Sequence, residues 1–261
     1  MKSIEVKNLN ERSGSQLTEK DKFSFRCHPD LTCFNQCCRN LNLYLYPYDV
    51  IRLKNHLHLT SDQFLDRFVD IVLRPGNHFP SVLLKMSENE ERTCPYLTAK
   101  GCSVYPDRPD SCRTFPLEQG ILSSDENPKN QKLIHFFRPP DFCLGRYEHQ
   151  QLTPQEWAKD QDAVEYNKMT AEWAQIKKLF QNDPWGKEGP DGKQGKMAFM
   201  STYNMDEFRN FVFQSSFLKR YKVKSQLLKQ IQKDDIRLMK FGFSWVKFYL
   251  FGITSKLIQI R

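Results

Sequence analysis

Apolar residues recur at helical spacing in several stretches of the chain. In YPYDVIRLKNHL (46–57), Val50, Leu53 and Leu57 fall on one face. Pro47 suits a first helical turn and Asp49 complements the positive end of the dipole, so a helix is predicted. TSDQFLDRFVDIVL (60–73) predicts a second, capped by Thr60 or Ser61, with Phe64, Phe68 and Ile71 or Val72 turned inwards. SVLLKM (81–86) and LIHFFR (133–138) are short apolar runs that predict strands, the latter paired with TFPLEQGIL (114–122) across a polar turn.

Beyond residue 150 the pattern becomes helical. Thr153 as N-cap, Pro154 at the first helical position and Glu156 at the capping-box position start a helix of several turns, with a break expected near Asn167–Thr170. NDPWGKEGPDGKQGK (182–196) holds four glycines and two prolines in fifteen residues and predicts a linker. NMDEFRNFVFQSSFLKRY (204–221) predicts an amphipathic helix capped by Asn204, with Glu207 three residues on. DDIRLMKFGFSWVKFYLFGI (234–253) is apolar round most of its circumference, with a narrow polar stripe of Arg237, Lys240, Ser244 and Lys247. It is too short and too basic to span a bilayer. Burial against the cysteine-rich region is expected, and an interfacial helix with its stripe toward lipid headgroups is the alternative.

Three regions follow: a polar, flexible lead-in over residues 1–22, a region 23–150 that carries every cysteine, and a helical region 151–261. The first twenty residues hold no apolar h-region, and no run of eighteen apolar residues exists, so the cytoplasm is the expected compartment. Thiols stay reduced there and structural disulfides are rare. At 261 residues the chain has no need of bridges to replace a core.

Those thiols are the main chemical signal. Cys27, Cys33, Cys37, Cys38, Cys94, Cys102, Cys112 and Cys143 lie within 117 consecutive residues, and none lies elsewhere. Disulfides, a metal site, a reactive thiol and simple packing are the candidate uses. Eight thiols divide into two sets of four, the number taken by a structural zinc or an iron–sulfur cluster. The spacing matches neither the paired C-x2-C of zinc ribbons nor the bacterial ferredoxin run. A catalytic thiol would need a base, for which His28 or His135 could be proposed, although loop or core roles suit both better. Adjacent side chains diverge, so either Cys37 and Cys38 serve different metals of a polynuclear site or one of them only packs in the core. Arg39, Arg108 and Arg113 are placed to offset the negative charge of a tetrathiolate centre. The fold expected is mainly α with short irregular β segments (α+β), a metal-stapled cysteine-rich domain with a helical C-terminal extension.

Charge adds a second feature. The net charge is +8, yet Lys219 to Arg261 carry eleven Lys and Arg against Asp234 and Asp235, a surplus of +9. Such a tail suggests an anionic surface (lipid, nucleic acid or an acidic protein partner), though a solvated helix face in a basic protein is the favoured reading. Phe208, Phe211, Phe217, Phe241, Phe243, Trp245 and Phe248 could stack on bases beside it. Their helical spacing favours core packing instead, so nucleic acid is not an expected partner.

CHPDLTCFNQCC (27–38) and CPYLTAKGCSVYPDRPDSCRTFPL (94–117) resemble the YkgJ-like cysteine-cluster family of zinc- or iron-chelating domains. The most specific part is GC-x-VY-x2-RP-x2-CR-x-FP: Gly101, Cys102, Val104, Tyr105, Arg108, Pro109, Cys112, Arg113, Phe115 and Pro116. The likeness covers roughly residues 25–145, and the first block departs from the shorter C-x2-C-x2-CC form, which bears most on Cys27. The resemblance implies metal chelation by the cysteines, as zinc or an iron–sulfur cluster, and no settled reaction. Related clusters occur in flagellin lysine N-methylases, which leaves a protein-modifying enzyme open beside a redox iron–sulfur protein. No glycine-rich nucleotide loop and no radical-enzyme C-x3-C-x2-C motif is present.

Overall fold

The computed structural model describes residues 2–5, 14–123 and 132–261. The chain forms two compact units, residues 1–43 with 85–174, and residues 44–84 with 175–261. Residues 44–84, inside the segment expected to hold the cysteine domain, therefore fold with the second unit, and residues 151–174 with the first. Of the expected lead-in, residues 1 and 6–13 lie outside the described set, while Lys2–Glu5 and Ser15–Leu17 are strands. The fold is α+β: helices with short, mostly antiparallel strand pairs.

In the first unit a four-stranded sheet runs in the order Lys2–Glu5, Leu117–Ser123, Lys132–Phe137, Ser15–Leu17. The expected pairing of the two central strands is observed, with Leu117 opposite Phe137 and Gly120 opposite Ile134. Phe23–Ser24 pairs with Gln151–Leu152. Leu17, Phe23, Phe25, Leu117, Trp157 and Cys143 pack into one core, so one of the eight thiols belongs to the apolar interior. Trp157 stands edge-on to Phe25, its indole N–H donating to the Thr114 carbonyl at 3.2 Å.

The second unit is mostly helical. Pro47–His56 forms as predicted, and Asp49 accepts the Tyr46 N–H at 2.8 Å. The next helix, Ser61–Phe68, is capped by Thr60 but ends earlier than expected. Val69–Val72 is instead a strand paired with Ser81–Leu84, leaving Ile71 and Val72 exposed. Three β-branched residues in four favour that extended form over a further helical turn. Near residue 160 the break falls at Gln161–Ala163 rather than Asn167–Thr170, at a left-handed Asp162 between Pro154–Asp160 and Val164–Leu179. The Gly-rich segment already turns helical at Lys193–Tyr203. Met205–Gln214 follows its Asn204 cap, and Asp235–Phe251 its Asp234 cap. Among the described residues no helix is long and apolar enough to cross a membrane.

Asp235–Phe251 packs on Lys193–Tyr203, Met205–Gln214, Pro47–His56 and Ser225–Ile231. Phe208, Phe217, Phe241 and Trp245 are all buried, and Phe217 meets Trp245 edge-on at 4.9 Å. The crossing with Lys193–Tyr203 depends on Gly242, where an added Cβ would lie 1.9 Å from the Ser201 carbonyl oxygen. Gly242→Ala must therefore push two backbones apart, and a loss of about 1–3 kcal/mol is expected in urea unfolding. An unchanged midpoint would disprove the close approach.

Buried charge sits where three helices begin. Lys54, 5% exposed, reaches Asp206 at 3.3 Å and Asp235 at 2.9 Å. Arg209 pairs with both carboxylates from the other side. Asp206 also accepts the Ser61 N–H at 2.7 Å and hydroxyl at 2.9 Å. Both acids lie in the first turn of their helices, where the dipole favours negative charge.

Candidate metal centre

Backbone pairing within the first unit gathers the cysteine segments. The Cys94 N–H donates to the Cys38 carbonyl at 2.8 Å and the Asn40 N–H to that of Arg92 at 2.9 Å, which sets 37–38 beside 94. A two-residue strand pair then places Cys102 opposite Leu97. Elsewhere the Arg26 N–H donates to the Gly145 carbonyl at 3.1 Å, which brings Cys27 to the Cys143 loop. An added Cβ on Gly145 would stand 2.6 Å from the Arg26 carbonyl oxygen, so this approach needs glycine. Cys112 lies on the short helix Asp110–Thr114.

All eight cysteines are unbridged thiols. Cys38 is their common neighbour, since its charge opposes ionisation of Cys27, Cys37, Cys94 and Cys102. Cys143 and Cys33 act likewise on Cys27, and Cys112 on Cys37. Burial first, then these neighbours, push Cys27 up to about 11. Cys94 is also pushed up to about 11, chiefly by burial. Burial raises Cys102 and Cys143 as well. The Cys37 thiol donates to Cys38, which raises Cys37 and lowers Cys38, with Arg39 assisting the latter. These adjacent sulfurs thus approach one another instead of diverging.

Four sulfurs accept backbone N–H groups. Cys94 takes those of Tyr96 and Leu97, Cys102 that of Val104, and Cys143 those of Gly145 and Arg146. Cys33 accepts the Leu144 N–H at 3.2 Å. Donors two and three residues after a cysteine hold a turn whose dipoles face the sulfur, and they stabilise it as a thiolate. These backbone donors escape a search for polar side chains. Two of the four have a nearby turn residue in the sequence, Pro95 after Cys94 and Gly145 two residues beyond Cys143, and neither identifies the donor amide.

The three arginines differ in what they touch. Arg39 donates to the Asn35 carbonyl at 2.7 Å, pairs with Glu91 at 3.2 Å and carries the charge that favours the Cys38 thiolate. Arg108 lies over the Tyr105 ring at 3.8 Å, donates to Gln161, and has Cys112 and Cys102 as charged neighbours. Arg113, 2% exposed, directs its donors to the carbonyls of Arg108, Pro106 and Gln161 and covers the Tyr166 ring at 4.2 Å. It braces the loop between Cys102 and Cys112. His28 faces Asp30 and Glu148, whereas His135 is buried in the sheet.

A family model described as "CxxCxxCC: Putative zinc- or iron-chelating domain" matches residues 26–143. The match falls on the stretch that resembles the YkgJ-like cysteine-cluster family, and the two descriptions agree. No curated protein and no solved structure matches the chain. The matched stretch draws on both units, since its residues 44–84 fold with the second. Among the described residues, no three Cys, His, Asp or Glu side chains are grouped so as to hold a metal ion. The chemistry of the donor set does fit one: reduced thiols, N–H donors on four sulfurs, and cationic guanidinium groups beside Cys38, Cys102 and Cys112.

Proposed function

We propose that the chelating domain uses its eight cysteines to hold a polynuclear thiolate centre, zinc or iron–sulfur, that organises the first unit. Cys27, Cys33, Cys37, Cys38, Cys94, Cys102, Cys112 and Cys143 would supply the sulfurs. Eight thiols exceed the four that one tetrahedral ion takes, which favours more than one metal. The observation that carries the reading is the set of backbone N–H donors on Cys33, Cys94, Cys102 and Cys143. Merely packed thiols have no need of such donors. A bound metal would supply positive charge that offsets the burial and, after it, the mutual repulsion that raise Cys27 and Cys94, and would draw the thiols closer.

The test is analysis of protein purified without oxygen, with zinc, iron and acid-labile sulfide counted per chain. At least two metal ions per chain are expected. Broad absorbance near 400 nm with sulfide would assign iron–sulfur, and a colourless protein rich in zinc would assign zinc. A folded chain that carries no metal and takes up neither zinc nor iron would defeat the reading.

A further inference from the structure

Within the second unit, the strands Tyr221–Lys222 and Gln259–Ile260 pair antiparallel, and the Arg261 N–H extends the ladder to the Arg220 carbonyl at 3.0 Å. This pairing draws two basic stretches together. Lys219, Arg220, Lys222, Lys224, Lys256 and Arg261 are all exposed, and among the described residues none of them forms an ion pair. No acidic residue occurs between Glu207 and Asp234, or after Asp235. Arg209, Lys54 and Arg237 face those two aspartates, so among the described residues no ion pair neutralises the side-chain cations around the strand pair.

Apolar side chains stand out on the same elements. Ile260 is 74% exposed, and Ile253 and Leu257 are exposed in the segment that leads to it. Tyr249 is exposed at one edge, stacked on Trp245 at 5.0 Å, while Tyr221 meets the same Trp245 edge-on at 4.9 Å. Of the seven aromatic rings that could stack on bases, Phe208, Phe217, Phe241, Phe243 and Trp245 are buried, and Phe211 and Phe248 are half-buried. Exposed on these segments are cations, aliphatic side chains and a tyrosine. That combination suits a lipid interface, where cations meet headgroup phosphates and apolar groups enter the acyl boundary. A nucleic acid would gain nothing from the exposed isoleucines.

We propose that the cations and aliphatic side chains around the Tyr221–Lys222/Gln259–Ile260 strand pair form a docking surface for an anionic phospholipid bilayer. The surface belongs to the second unit and does not depend on which metal the cysteines hold.

The experiment is co-sedimentation of the full chain with vesicles of phosphatidylcholine alone or with one third phosphatidylserine. Binding is expected only with phosphatidylserine, and it should fall steeply between 50 and 300 mM salt. Lys219→Glu with Lys222→Glu should reduce partition at least twentyfold. Ile260→Ser should reduce it about three- to tenfold while the salt dependence persists. These positions are exposed, and an unaltered thermal transition of each variant confirms that its fold is intact. No binding to phosphatidylserine vesicles at 50 mM salt, or full binding by the doubly reversed variant, overturns the proposal. Retention on duplex DNA without retention on vesicles overturns it too, and assigns the patch to another polyanion.

Discussion

Cys38→Ser is expected to strip metal from the chain and to destabilise the first unit by roughly 5 kcal/mol, about half of what a structural metal site supplies. Cys38 is the thiol whose charge reaches most of the others, touching the ionisation of Cys27, Cys37, Cys94 and Cys102. Its carbonyl also accepts the Cys94 N–H at 2.8 Å, so its position and that of Cys94 are set together. Serine preserves shape and hydrogen bonding but ligates soft metals poorly, so the substitution isolates the role of sulfur. A half-buried thiol that only packs would lose about 1 kcal/mol on the same change. Hydrogen exchange at Tyr96, Leu97, Val104, Gly145 and Arg146, read beside metal content, distinguishes the two. Protected amides and full metal content in the variant would end the ligand assignment.

Lys54→Ala should cost the second unit about 3 kcal/mol, the lower end for breaking a buried ion pair. The lower end applies because Arg209 still faces both Asp206 and Asp235 once the ammonium is gone. Burial on its own would raise the Asp206 carboxyl, but the two Ser61 bonds and Lys54 outweigh it and hold it below 3.8. A depressed carboxyl contributes stability above its unfolded value and loses it as pH falls through the folded one. The gap between wild type and variant is therefore full at neutral pH and narrows as acid protonates Asp206. Urea midpoints at neutral pH and near pH 3 provide the check, and a gap that widens in acid would contradict the pairing.

Much of the local structure was legible because it is encoded locally. Asp49 beside Pro47, Asn204 before its helix and Thr153–Glu156 are caps whose chemistry is complete within four residues. The central strands also followed from apolar runs on either side of a turn. Val69–Val72 was harder, since VDIV continues a helical apolar pattern and only its pairing with Ser81–Leu84 makes it a strand. The division into units was not legible at all. It depends on long-range packing, such as Lys54 on Asp206, that no window of sequence contains. In the candidate site the sulfurs were evident from their types. The amides that serve them were not, because every residue but proline has one.

The interleaving of the two units has a consequence for synthesis. Ser61 leaves the ribosome 145 residues ahead of Asp206, the carboxylate it bonds. At translation speeds of 5–20 residues per second, that is a wait of about 7–30 s. Throughout it, Val50, Leu53 and Phe64 lack the later helices of the second unit, and chaperones have time to engage. A chain cut to residues 26–143 would make that wait permanent. Expression of the domain by itself should therefore yield aggregates, even with ample metal in the medium.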